Sequence, residues 1–180
     1  MRVPAMIVII RERIAVHAVL ENVPYYLLST VLATGCGIYA EKLPDRVLRV
    51  LLWPHALAVE VFFNVKTHFV AGEGYAAAGL PIFIGTQCSG ISFICLTFLL
   101  LSYLFIHRFQ KCEKPVWFVL AAILSVISGI LLTTLRIIGS VPLVGSEQFS
   151  TFHAGVGISI YTMGLIAIYN AADRLTRKKH

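Results

Sequence analysis

Residues 88–106 read CSGISFICLTFLLLSYLFI, nineteen residues without a charged side chain. Coiled into a helix, a run of that length reaches about 30 Å, the thickness of a bilayer's hydrocarbon core. A helix is also the local way to satisfy every backbone N–H and C=O where no water is at hand. Residues 116–139 and 154–172 repeat the pattern, and residues 23–40 form a fourth run, with Gly35 and Gly37 near its end. Residues 47–65 are ambiguous, because Arg49, Pro54, His55, Glu60 and Asn64 interrupt them. We read this segment as a fifth span, with a helix lying in the interface as the open alternative. His55 and Glu60 then read as solvated or interfacial groups, or as lining residues if the helix crosses.

Composition agrees. Hydrophobic residues make up 58% of the 180 residues and charged residues 13%, and the mean hydropathy is +0.82. A soluble domain carries roughly a quarter charged residues, so the polar surface here is too small to cover a water-soluble globule. The net charge of +6 does not point to nucleic acid, because the basic residues gather at the ends of apolar runs. The apolar run at 6–10 is short and leads into Arg11-Glu12-Arg13, unlike a cleavable signal peptide. The expected architecture is an all-α, polytopic transmembrane bundle of four or five spans with a short outer loop cap. Residues 1–180 form one integral membrane domain, and 88–172 are its core helices.

Orientation follows from the loops. The loop at 107–114 and the tail at 173–180 hold seven Lys/Arg together, whereas 140–152 hold none and 66–87 hold one. The positive-inside rule places the two basic segments in the cytoplasm and the other two outside. Four spans put the N-terminus inside and five put it outside. Arg2, Arg11 and Arg13 favour the first, while Lys42, Arg46 and Arg49 favour the second. In the outer loop at 67–87, Gly72, Gly74 and Gly79 predict tight turns, and Pro81-Ile82-Phe83-Ile84 predicts a short extended stretch over the mouth of the bundle.

Three reactive side chains fall at one depth. Arg136 lies about 20 residues into its span, hence about 30 Å from the cytoplasmic end. Cys88 and His153 open their own spans at the same face. An ionisable residue inside an apolar helix needs a partner or water. The trio suits thiol chemistry: a thiolate is favoured near Arg and at a helix N-terminus. His153 would carry the proton from thiol to leaving amine, and Arg136 would face the thiolate or the developing oxyanion. Gly90 leaves room for close backbone approach. Taken singly, the three read otherwise, as a small packing residue, a charge snorkelling to headgroups and an interfacial histidine.

The string Gln87-Cys88-Ser89-Gly90-Ile91-Ser92-Phe93 resembles the nucleophile motif of exosortases and archaeosortases. Thr133-Thr134-Leu135-Arg136-Ile137 resembles their arginine motif, and Phe152-His153-Ala154-Gly155-Val156-Gly157-Ile158 their histidine motif. The order Cys, Arg, His matches, and Gly74-Tyr75 in the preceding loop also fits. The resemblance covers roughly residues 51–172, and the short length is similar to compact members such as exosortase K. Where the family often has Asn three residues before the Arg, this chain has Thr133, which keeps a hydrogen-bonding group.

The resemblance implies a membrane thiol protease and transpeptidase acting at the outer face of the cell membrane. Its substrates would be exported proteins that end in a recognition motif, a membrane helix and a basic tail. Cys88, Arg136 and His153 would be catalytic, with Thr133, Ser89 and Gly90 secondary. A thioester on the Cys would pass to an acceptor, often a lipid or glycolipid. No metal or organic cofactor is implied, and the six histidines show no metal-binding spacing.

Rival readings are weaker on the residues. Ser89-Gly90 lacks the Gly two residues before the Ser of a rhomboid-type serine protease. A thiol–disulfide enzyme needs paired outer cysteines, and Cys95 lies two turns below Cys88 while Cys112 sits in the basic loop. The remaining alternative is a non-enzymatic transport or assembly protein in which Arg136 is a structural or binding charge.

Overall fold

The computed structural model describes residues 5–40, 42–145 and 149–177, with side chains from residue 20 onward except at 150 and 152. The chain forms α1 (Ala5–Ala40), α2 (Asp45–Phe63), strands β1 (Thr67–Val70), β2 (Gly74–Ala77) and β3 (Phe83–Ile84), then α3 (Ile91–Phe105), α4 (Lys114–Ser140) and α5 (Phe149–Arg177). Among the described residues, four helical stretches are long and apolar enough to cross a membrane: Leu20–Ala40, Thr86–Arg108, Lys114–Leu143 and His153–Arg177.

Four of the expected four or five spans are thus present, and the segment at 47–65 is the one left over. It forms α2, which is not among those four. Asp45, Arg46, Arg49 and Glu60 put four charges on a 19-residue helix, too many for an apolar crossing. Its inner face, Leu48, Leu52, His55, Ala56 and Val59, is buried against Tyr75, Ile84 and Ile137, from the sheet and from α4.

α4 buries mostly small residues along one face and turns large apolar ones outward. On α4 the buried positions are Lys114, Trp117, Ala121, Ser125, Gly129, Thr133, Ile137 and Ser140, one helical face. Ile123, Ile127, Leu131 and Leu135 on the opposite side are exposed. Lipid is as apolar as leucine, so close backbone approach, not hydrophobic sorting, holds such helices together. Gly129 admits Ile94 of α3, and Gly164 of α5 admits Leu132; a Cβ at either would collide with that side chain.

Ion pairs mark one end of the bundle. Arg108 bonds Asp173 at 2.7 Å and Thr176 at 2.9 Å. Glu21 of α1 meets Lys111 at 2.8 Å and Lys114 at 3.7 Å. The start of the α1 span, the α3–α4 loop and the end of α5 therefore share this basic end. The N-terminal votes at Arg2, Arg11 and Arg13 lie outside the residues whose side chains are described.

The opposite end carries the cap. β1, β2 and β3 form an antiparallel sheet in that order, with Thr67 opposite Ala77 and Tyr75 opposite Ile84. Gly74 has φ 121°, and a Cβ there would run into the Ile84 carbonyl, so β2 starts where only glycine fits. Glu60 at the end of α2 accepts from both the Thr67 backbone N–H (2.7 Å) and its hydroxyl (2.8 Å). Those bonds hold its carboxyl below the usual range. Asp45 accepts from the Gly72 N–H at 3.0 Å. The turns and the extended stretch expected from the loop at 67–87 are present, organised into a sheet stapled to α2 at both of its ends.

Candidate active site

Cys88 ends a single 3-10 turn, Thr86–Cys88. Ser89 and Gly90 follow, and α3 begins only at Ile91 with Gly90 as its N-cap. Cys88 thus lies just ahead of the helix and does not open it, which corrects the sequence expectation by three residues. Gly90 has φ +71°, and a Cβ on it would strike the Thr133 hydroxyl and sit 3.2 Å from the Gly129 carbonyl. The turn rests directly on α4, which gives Thr133 and Gly90 a joint structural role. Ser89 is buried; its hydroxyl lies 3.5 Å from the Ile91 N–H, at the first turn of α3.

Arg136 and His153 are in direct contact. Arg136 Nη2 donates to His153 Nε2 at 2.8 Å, and His153 Nδ1 lies 2.9 Å from the Ser140 hydroxyl. That hydroxyl donates to the Arg136 carbonyl at 2.7 Å, so it accepts from the imidazole. The proton therefore sits on Nδ1, and Nε2 offers its lone pair to the guanidinium. The imidazole is neutral in this arrangement, since a protonated Nε2 would oppose two N–H groups.

The rest of the guanidinium is held by α5. Arg136 Nη1 lies 3.4 Å from the Tyr161 hydroxyl, which also bonds Thr133 at 3.2 Å. The Tyr161 ring stacks on Phe93 at 4.6 Å. Arg136 Nε is buried and unpaired, in a notch left by Gly157, where a Cβ would come within 2.7 Å of it. Among the described residues no carboxylate pairs with Arg136. A cavity of about 450 Å³ opens beside it, lined among others by Gly37 and Ala40 of α1, the Ser89-Gly90 turn, Arg136 and Tyr161.

Cys88 is half-buried and packs against the cluster formed by Leu52, Val59, Ile84 and Ile137, on the α2 side of the turn. It lies within electrostatic reach of Arg136. The structure thus gathers the three sequence-predicted residues at one end of the bundle, with Arg136 bonded to His153. Both ring nitrogens of His153 are engaged by Arg136 and Ser140, so the thiol is not its present partner.

Tyr161 and Ser140 escaped the sequence reading, and Gly157 figured there only within the histidine motif. Tyr161 and Gly157 share a helix face with His153 at four-residue steps, and Ser140 is one turn from Arg136. That i, i+4 spacing was a usable signal. His55, read as solvated or interfacial, is fully buried, and nothing in the sequence marks it. Cys36 of α1 and Cys95 of α3, both free thiols, come within interaction reach where α1 packs on α3. Among the described residues, no three His, Cys, Asp or Glu side chains gather closely enough to hold a metal ion.

The chain matches no protein-family model, no curated protein and no solved structure.

Proposed function

We propose that this protein is a membrane cysteine peptidase or transpeptidase of the exosortase and archaeosortase kind, which cuts C-terminal sorting signals from exported proteins. The observation that carries the reading is Arg136: a guanidinium with no carboxylate partner among the described residues, facing a cavity beside the Cys88 turn. A charge in an apolar helix with no counter-ion among the described residues is suited to an incoming anion or oxyanion.

The geometry suggests an order of events. A scissile carbonyl that reaches from the cavity to Cys88, which does not itself line it, attracts the Arg136 N–H groups and draws them from His153. Nε2, so released, accepts the Cys88 proton as sulfur attacks the carbonyl carbon. The oxyanion faces Arg136, and its collapse breaks the C–N bond while His153 protonates the leaving amine. The thioester on Cys88 then passes its acyl group to an acceptor, a lipid, a glycolipid or water, and Cys88 regains its proton. By the positive-inside rule the basic end is cytoplasmic and the site extracytoplasmic, the side on which an exported substrate arrives with its helix still in the membrane.

The test is co-expression with a protein ending in a motif, a membrane helix and a basic tail, following its size. Wild type and Ser89→Ala trim the tail and Cys88→Ala does not. Trimming by Cys88→Ala removes Cys88 as nucleophile. The engaged state of His153 favours one second reading, a non-enzymatic transport or assembly protein in which Arg136 is a structural charge. In that case Cys88→Ala is silent in every assay while Arg136→Ala is not.

A further inference from the structure

His55 stands apart from the Arg136–His153 cluster, on the other side of the nucleophile turn. It is fully buried among the apolar inner residues of α2. Nδ1 lies 2.7 Å from the Thr134 hydroxyl of α4, and α2 packs on the 3-10 turn that ends at Cys88. Nε2 is buried without a hydrogen-bond partner. Packing alone does not call for an imidazole here, since leucine fills similar space without burying a polar nitrogen.

The neighbours on α4 clarify its place. Thr133 and Thr134 are consecutive and reach to different sides of the turn. Thr133 meets Gly90 and Tyr161; Thr134 meets His55. The Cys88-Ser89-Gly90 turn is therefore pinned twice, at Gly90 by Thr133 and at Cys88 by α2, which the His55–Thr134 bond ties to α4. Only the second pin comes from α2, the helix against which Cys88 packs.

We propose that His55 is a positioning residue that clamps the Cys88 turn between α2 and α4. Its consequence for turnover rests on the thiol-peptidase reading; its consequence for the thiol does not. Loosening the clamp frees Cys88 from its half-buried place and misaligns it with Arg136.

The test alkylates full-length protein in detergent with iodoacetamide and follows the Cys88 peptide by mass spectrometry, beside the cleavage assay. Three variants decide it. His55→Asn keeps an acceptor near the Nδ1 position; His55→Leu keeps bulk without polarity; Thr134→Val removes the partner. The expected result is at least tenfold faster Cys88 alkylation in His55→Leu and Thr134→Val, and a rate within threefold of wild type in His55→Asn. In cleavage, kcat falls at least tenfold in the first two with KM within twofold, and His55→Asn retains most of it. A packing role reverses the order, because leucine then serves better than the smaller, polar asparagine. Wild-type alkylation in His55→Leu and Thr134→Val, or equal disturbance by Leu and Asn, overturns the proposal. If His55→Leu does not fold, Thr134→Val decides. If wild type cleaves nothing, the peptidase reading fails while the alkylation comparison still settles the clamp.

Discussion

The Nη2 of Arg136 and the Nε2 of His153 are 2.8 Å apart, with the imidazole lone pair occupied by the guanidinium. The contact depends on a planar fork that also reaches Tyr161. A lysine has one ammonium on a flexible stem and cannot span both partners. Arg136→Lys is expected to lower cleavage by about 10²-fold or more, the order seen when an oxyanion donor is lost, while the protein still accumulates. Near wild-type cleavage by Arg136→Lys removes the fork from the mechanism.

Gly157 and Gly155 supply a matched pair on α5. A Cβ at Gly157 falls 2.7 Å from Arg136 Nε, whereas one at Gly155 meets nothing within 4 Å. Gly157→Ala should push the guanidinium off His153, cost about 1–3 kcal/mol as overpacking and reduce cleavage. Gly155→Ala should match wild type in both melting temperature and activity. Equal behaviour of the two variants refutes the notch.

The approach of the Cys36 and Cys95 thiols tests how α1 lies on α3. Oxidation in membranes by copper phenanthroline and oxygen should join them, each thiol giving up one hydrogen. The expected product is an intramolecular disulfide between those two peptides in the mass spectrum, absent in Cys36→Ser. A linkage involving Cys112, or none, would show that α1 packs elsewhere.

Burial holds the His55 imidazole below its ordinary protonation range, partly opposed by the Ser89 main chain. With the folded value lowered, the unfolded segment binds the proton first. The contribution to stability is therefore complete above the unfolded value, about 6.5, and is lost as pH falls through it. The melting temperature in detergent should drop more between pH 8 and pH 5 for wild type than for His55→Asn. Parallel curves would show that folding leaves the His55 proton affinity unchanged.

Apolar run length and the distribution of Lys and Arg were enough to read four membrane-length helices, a shared basic end and the common depth of Cys88, Arg136 and His153. Those features are one-dimensional. A helix rises a fixed distance per residue, so depth along the bundle can be counted from the residue order. Partners across helices cannot be counted this way. That His153 spends both nitrogens on Arg136 and Ser140, that Cys88 turns toward α2 and that His55 is buried all depend on the rotation of each helix about its axis. That rotation is settled by small residues such as Gly90, Gly129, Gly157 and Gly164 admitting a particular neighbour. Hydropathy also overstated residues 47–65, since apolar content is common to a span and to a helix buried against a sheet. The charges at Asp45, Arg46, Arg49 and Glu60 argue against a crossing, but the packing of Leu52, Ala56 and Val59 with Ile84 and Ile137 appears only in the tertiary structure, because burial against protein and burial against lipid leave the same mark on a sequence.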